Sequence, residues 1–281
     1  MEFGIAIPAY KDAARLRRCL DSVKKIDAGW LSNVTVVDDS GDGQVADALT
    51  KEFPTVKWIV HDRNQGFAAA ANHAVLGCSV EWVLLLNDDS ELIEDVRDSL
   101  RKLLQNEMLF AVSLQSVDVD GNRREGAKRL IWSFGIAKIL HNAKDQLQLI
   151  DGVSETSYAV GGHALFSRKL FESLGGFDAA FHPFYWEDVD LSQRARHEGY
   201  DVLYCENARV LHHTTGAIRS SANADKIREA TWRNRLLFSR RYASGFQKFL
   251  QPIGLLWQKA VAVVTRDHVL ENALAEFENT I

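Results

Sequence analysis

The chain has 281 residues, 46% hydrophobic and 25% charged, with a formal net charge of -5 at pH 7; that is the profile of a soluble globular protein long enough to bury a full core, and it argues against nucleic acid as a partner. Cys19, Cys78 and Cys205 are too few and too scattered for a disulfide framework or a CxxC metal site, so a reducing compartment is expected. No run of 18 apolar residues offers a spanning helix, and the chain enters a strand pattern at once, with no signal peptide expected.

Phe3 to Pro8 (FGIAIP) predicts a buried strand, and Arg15 to Val23 carries helical spacing through Leu16, Cys19, Leu20 and Val23. Val34 to Val37 is a second strand. It runs into the acidic turn Asp38-Asp39-Ser40-Gly41-Asp42-Gly43, and Gln44 to Phe53 follows as a helix. Val56 to Val60 is a third strand, followed by Asn64-Gln65-Gly66-Phe67 and an Ala-rich helix through Val75. Trp82 to Leu86 is an uninterrupted apolar run, as in a strand covered on both faces. It leads into Asn87-Asp88-Asp89-Ser90, with a helical pattern beginning at Leu92.

This alternation predicts a parallel sheet with right-handed crossovers, and polar loops at strand carboxyl ends are where open α/β sheets bind ligands. Neither GxGxxG after the first strand nor GxxxxGK[ST] anywhere is present, so phosphate must be held by another device. Oxygen ligands fixed after the fourth strand could hold a hard divalent cation and, through it, a diphosphate. The alternative is that Asp89 or Ser90 simply caps the next helix.

Phe110 to Val119 reads as a strand and Asp120-Gly121-Asn122 as a turn. Arg123, Arg124, Lys128 and Arg129 then form a basic patch in a mobile, variable segment reaching to about Ile150. Tyr158 to Phe166 is a strand interrupted by Gly161-Gly162, where a backbone or ligand comes close. After Gly175-Gly176-Phe177-Asp178 come Phe181, Phe184, Tyr185 and Trp186, then Glu187-Asp188-Val189-Asp190 at a helix start. Those acids either complement the helix dipole or supply a general base, with the rings as flat faces for a sugar. Val202 to Tyr204 and Ala208 to Leu211 are short strands, the second ending in His212-His213.

Asp225 to Lys248 is helical and basic, with seven Lys or Arg against two acids. Phe249, Ile253, Leu256, Ala260 and Val263 then recur at amphipathic-helix spacing. That face either packs on the catalytic domain or on a second subunit, or lies on an anionic membrane surface.

Taken in order, these motifs resemble the family-two, GT-A fold glycosyltransferases, and their rhamnosyltransferase-like branch in particular, over roughly residues 3 to 240. Ile7-Pro8-Ala9-Tyr10 matches the opening hPxY strand end, which implies that Pro8, Ala9 and Tyr10 cradle the nucleotide base. Val36-Val37-Asp38-Asp39-Ser40 matches VVDxxS, whose acids, Asp38 and Asp39 here, read the base or ribose. Asn64-Gln65-Gly66-Phe67-Ala68 with Asn72 matches NxGFAxxxN and assigns Asn64, Gly66, Phe67 and Asn72 to the nucleotide sugar. Asn87-Asp88-Asp89 falls on the DxD position. Asp89 becomes a metal ligand, with Asn87 and Asp88 beside the donor, although Asp88 stands where Pro is common. Gly175 to Asp178 and Trp186 to Leu191 match GGFDexFFxyxEDxDL, which makes Asp188 the base, with Glu187 beside it as the second catalytic candidate and Asp190 structural. Ala208-Arg209-Val210-Leu211-His212 matches AxVxH and selects His212 over His213 as the second metal ligand. Trp232 to Phe238 resembles the RNxLxF helix of the branch, and Lys11 departs from its usual Asn.

The resemblance implies an α/β GT-A (nucleotide-diphospho-sugar transferase) fold, with a mostly parallel central sheet flanked by helices and a C-terminal helical appendage. Residues 1-218 would be the catalytic domain (1-110 the nucleotide-sugar half, 111-218 the acceptor half) and 219-281 the helical segment. The implied enzyme is an inverting glycosyltransferase of cell-surface polysaccharide or glycan synthesis. It takes a nucleotide-diphosphate sugar donor and a sugar or lipid-linked acceptor, with Mn²⁺ or Mg²⁺ as cofactor. Gly162, His163, Tyr185 and Trp186 are the acceptor-side candidates. The expected location is the cytoplasm, at the inner face of the plasma membrane, with a homodimer as the other use for the C-terminal helix. A sugar nucleotidyltransferase would show a Gly- and Arg-rich loop where this chain has Ala9-Tyr10-Lys11-Asp12; a non-catalytic nucleotide-sugar binding module would not need Glu187-Asp188.

Overall fold

The structure is a computed structural model that describes residues 2–140, 149–213 and 224–279. The expected boundary between residues 218 and 219 falls outside them, as does part of the expected variable segment. Four strands, β1 (Phe3–Ala9), β2 (Val34–Asp38), β3 (Lys57–Val60) and β4 (Trp82–Leu86), run parallel in the order β3-β2-β1-β4. Their crossovers are helices α1 (Ala13–Ile26), α2 (Gln44–Leu49) and α3 (Phe67–Gly77). Every residue of β1, β2 and β4 is buried, because each face of the sheet is covered. Side chains alternate between faces with a period of two, so Ile5, Ile7 and Leu84 join Leu16 and Leu20 of α1 in one core. Ala6, Val37 and Leu85 meet Ala70, Ala71 and Ala74 of α3 in the other. The small side chains let α3 lie close to the sheet.

Beyond β4 the helix expected from Leu92 is replaced by an edge strand, β5 (Ser90–Leu92), with α4 confined to Arg97–Arg101. Then come β6 (Leu109–Val117), β7 (Arg129–Ser133), β8 (Ile136–Leu140), β9 (Val153–Glu155), β10 (His163–Ser167) and β11 (Asp201–His212). The main sheet continues as β4-β10-β6-β11-β5, with β10 antiparallel to both neighbours and β11 parallel to β6. The nine-stranded sheet is therefore mixed, parallel in its first half. The two strands read after Tyr200 are one, β11, whose register on β6 jumps between Cys205 and Arg209 at a bulge. Part of the segment expected to be variable forms the separate hairpin β7-β8.

Helices α5 (Arg168–Ser173) and α6 (Glu187–His197) complete the second half, followed by α7 (Ala224–Tyr242), α8 (Gly245–Thr265) and α9 (His268–Asn279). The basic helix expected to reach Lys248 breaks at Ala243-Ser244, where Gly245 adopts φ +47°. Leu236 of α7 packs with Leu270, Leu274 and Phe277 of α9. On α8 only Gly254 and Ala262 are buried; Leu255 packs against the Leu236–Leu270 cluster, while Phe249, Ile253, Leu256, Trp257, Val263 and Val264 face outward.

Candidate active site

The carboxyl ends of β4, β6 and β11 and the amino end of β10 share one edge of the sheet: His163 pairs with Leu86, and His212 with Ser90. Three residues after Leu86, Asp89 is 3% exposed, and its Oδ1 lies 3.3 Å from Nε2 of His212. Burial opposes charge on His212, but the Asp89 carboxylate outweighs it and the pKa is raised. His213 turns the other way and pairs through Nε2 with Glu91 Oε1 at 2.7 Å. His212 is thus the imidazole that meets Asp89.

A second imidazole joins the group. His163 is fully buried, and among the described residues neither of its ring nitrogens has a hydrogen-bond partner. Burial pushes its pKa down to about 3, which keeps the ring neutral and fit to ligate. Glu125, His163 and His212 bring one ligand atom each to within 4.8 Å of one another. Two imidazoles and a carboxylate are a donor set that fits a divalent transition ion. His163 was expected on the acceptor side, but a fully enclosed side chain cannot reach an acceptor; it faces His212 instead, with ring centroids 5.8 Å apart.

Several expected donor contacts are engaged elsewhere. Asp38 is fully buried: Oδ1 accepts from Ser40 N and the Ser40 hydroxyl, and Oδ2 from Val45 N and Ala46 N, so the carboxylate caps α2 rather than facing a base. Asp39 accepts from Gln65 N and Gly66 N and sits 2.7 Å from His61 Nδ1, whose Nε2 in turn meets His73. It therefore shapes the Asn64–Phe67 loop from beneath. Asn72 is likewise structural, since its carboxamide pairs at both ends with the backbone of Phe177. Asp88 is ion-paired with Arg15 at 2.9 Å and accepts from Tyr10 N, which fastens the end of β1 to the β4 loop. Burial raises the Asp88 pKa to about 6 in spite of Arg15. Pro8 and Ala9 are buried in β1, Tyr10 is half-buried, and Gly66 opens α3 at φ +85°.

The expected base lies across a glycine pair. Asp188 is half-buried at the start of α6; Oδ2 accepts from Gly161 N at 3.2 Å and Oδ1 from Val189 N at 2.8 Å. Gly162 accepts from Asn87 N at 2.9 Å, and a Cβ there would stand 2.5 Å from the Asn87 side chain. Gly161-Gly162 therefore spans from Asp188 to the Asn87–Asp89 loop. Burial pushes the Asp188 pKa up to about 6, against the pull of the two backbone N–H groups. Glu187 is buried, and burial together with Asp188 raises its pKa well above the usual range. Among the described residues its Oε2 has no hydrogen-bond partner.

Trp186, expected to offer a face to a sugar, is 6% exposed and packs on Phe238 with ring centroids 5.1 Å apart, so only Tyr185 remains outward. Asp190 is fully buried and joins Arg194, Arg241 and Tyr242, which ties α6 to α7. Lys128 is 2% exposed, and burial lowers its pKa against the charges of Glu125 and Asp188. Sequence reasoning assigned no site role to Glu125 or Lys128, since both lay within a surface-like basic patch. For His163 one signal existed, a histidine opening the apolar run His163-Ala164-Leu165-Phe166.

Comparison with known proteins bears on this arrangement. The family model described as glycosyl transferase family 2 matches residues 4–175. An N-acetylglucosaminyl-diphospho-decaprenol L-rhamnosyltransferase of Mycobacterium tuberculosis is 25% identical over 227 residues, 73% of this chain and 73% of that protein. A mannosyltransferase of Pyrobaculum calidifontis, solved with GDP-Man and Mn²⁺, superposes with a TM-score of 0.62 at 16% identity, over 98% of this chain and 86% of that one. GalNAc-T7, solved with UDP, GalNAc and Mn²⁺, gives 0.67 at 15% identity over 89% of this chain; this chain spans about half, 49%, of its length. At those identities the superpositions speak for the fold, which is GT-A.

Proposed function

Since the chain belongs to glycosyl transferase family 2 and is a glycosyltransferase of the GT-A fold, we propose that it moves a sugar from a nucleotide-diphosphate donor to an acceptor hydroxyl with inversion. The observation that carries this reading is the span from Asp188 through Gly161-Gly162 to Asn87, which sets a carboxylate opposite the donor loop. Asp188 accepts the hydroxyl proton while the acceptor oxygen attacks the anomeric carbon and the bond to the diphosphate breaks. One base and, among the described residues, no dedicated nucleophile beside it mean one displacement, hence inversion. A base so placed supplies about 10²–10⁴ in rate. Burial, and then the neighbouring Asp188, raise the Glu187 pKa and so disfavour a second negative charge beside Asp188. Asp89 and His212 would hold Mn²⁺ or Mg²⁺, which as a Lewis acid stabilises the leaving diphosphate. Pro8, Ala9, Tyr10, Asn64, Gly66 and Phe67 border the donor side, and Tyr185 the acceptor side. The test is a screen of nucleotide-diphosphate sugars by thermal shift and turnover, paired with Asp188→Asn. Donor binding by both proteins with turnover by wild type alone supports the reading; full turnover by the variant refutes it.

The same proposal extends to an acceptor carried on a lipid at the cytoplasmic face of a membrane, in envelope glycan synthesis. The supporting feature is α8, where Phe249, Leu256, Trp257, Val263 and Val264 are 64–82% exposed and no acid occurs from residue 245 to 265. No helix among the described residues is long and apolar enough to cross a membrane. Such a face instead suits a helix lying in the lipid interface.

A further inference from the structure

His163 opens β10 with its side chain fully enclosed and, among the described residues, with both ring nitrogens unmatched. Buried polar groups are normally hydrogen-bonded, so an imidazole kept in this state points to a ligand. Its surroundings say which kind. His212 and Glu125 each place a ligand atom within 4.8 Å of a His163 nitrogen and of one another. An ion with bonds of about 2.1 Å holds tetrahedral donors about 3.4 Å apart, so modest side-chain rotation closes the three onto one ion.

We propose that Glu125, His163 and His212 form a transition-metal site built by the protein alone, which fills before any nucleotide arrives. The inference rests on the metal-assisted reading in one respect, the sharing of His212 with Asp89. It differs in what it requires. An ion held by Asp89 and His212 needs diphosphate oxygens to complete its ligands and can enter with the nucleotide. An ion held by two imidazoles and a carboxylate stays on the free protein and leaves positions open for the diphosphate. Imidazole donors select Mn²⁺, Co²⁺ or Zn²⁺, whereas Mg²⁺ prefers an all-oxygen shell.

The experiment uses EDTA-stripped full-length protein, free of nucleotide, titrated with Co²⁺ by visible absorption and with Mn²⁺ and Mg²⁺ by calorimetry. One equivalent of Co²⁺ with the bands of a low-coordinate site is expected, along with Mn²⁺ binding and no Mg²⁺ heat. His163→Gln and Glu125→Gln should each weaken Co²⁺ binding at least about tenfold, while Asp89→Asn retains it. Far-UV circular dichroism of each stripped variant checks the fold, and either of the first two variants alone suffices as the test. Absence of metal from the nucleotide-free protein, or a folded His163→Gln that binds Co²⁺ like wild type, overturns the inference. If ion and nucleoside diphosphate bind only together, through Asp89 and His212, this site is refuted while the glycosyltransferase reading stands. If nucleoside diphosphate fails to bind with any metal, that reading is the one lost.

Discussion

The side-chain amide of Asn234 donates to the main-chain carbonyl of Tyr185 at 2.9 Å, and so joins α7 to the turn that delivers Asp188. The same nitrogen lies 2.6 Å from the carbonyl of Phe181 and 3.0 Å from that of Phe184. Tyr185 and Trp186 sit at φ +71° and +77°, a left-handed pair that costs on the order of 1–3 kcal/mol per residue unless its surroundings enforce it. Asn234, fully buried, is one of the groups that enforce it. We predict that Asn234→Asp, which cannot donate to those carbonyls, lowers turnover about tenfold to a hundredfold through misplacement of Asp188. Nucleoside diphosphate affinity should hold, since the donor loops are untouched. Unchanged kcat in a folded variant would remove Asn234 from this role.

As the proposed base, Asp188 would work only when ionised, and burial has pushed its pKa up to about 6. Turnover should therefore fall as pH drops through 6, rather than near about 4 as for a free aspartate. The linkage has a definite sign. A carboxyl whose folded pKa is raised destabilises the fold above its unfolded pKa, and the cost grows up to the folded pKa and stays constant beyond it. Asp188→Asn should accordingly melt higher than wild type at pH 8 while losing about 10²-fold or more in rate. A variant that melts lower at pH 8 would show that the ionised carboxylate is favoured by its surroundings, contrary to this account.

Metal dependence is checked at Asp89. Removal of divalent ions with EDTA should abolish nucleoside diphosphate binding to wild type, and Mn²⁺ should restore it. Asp89→Ala should bind weakly with or without Mn²⁺, and calorimetry under both conditions decides. Equal donor affinity and turnover in stripped and reloaded wild type would rule out metal assistance.

At Gly66, φ +85° and a Cβ that would stand 2.8 Å from His182 Nδ1 leave no room for a side chain. Gly66→Ala should destabilise the protein by about 1–3 kcal/mol and weaken donor binding more than it slows bound donor. Denaturant melts and donor titrations measure the two effects. A neutral substitution would mean that the loop is freer than this contact implies.

The outward face of α8 predicts sedimentation with anionic liposomes at low salt and release as salt rises. Truncation after Ala243 also removes α9, so the cleaner variant is Leu256→Glu with Val263→Glu, which leaves Leu270, Leu274 and Phe277 in place. It should lose vesicle binding and keep donor binding. Self-association of wild type that this double variant abolishes, without vesicle binding, would assign the face to a second copy instead.

The parallel half of the sheet was legible because β1, β2 and β4 are continuous apolar runs separated by helical spacing, and burial on both faces imposes that pattern. The helix read from Leu92 starts only at Arg97, because Ser90–Leu92 is a strand whose partner is Val210–His212, far along the chain. Asp188 and His212 could be singled out from motif context. The motif could not say that Asp38 and Asn72 would be occupied by backbone groups, a matter of tertiary hydrogen bonding. Glu125, and the place of His163 beside His212, were hidden for the same reason: β6 pairs with both β10 and β11, and the Glu125 carbonyl accepts from Ser116 N of β6, which brings both side chains to His212.

The tandem His212-His213 at the end of β11 makes the site tolerant of a change in chain length. Neighbouring strand residues face opposite sides, so a one-residue slip normally substitutes an unrelated side chain at a given spot. Here, loss of one residue between Arg209 and Leu211 would draw His213 into register opposite Ser90, the place His212 now occupies. The slip exchanges imidazole for imidazole, and the partner that gives way is Glu91 on the outer side. After such a loss the strand would still present an imidazole opposite Ser90.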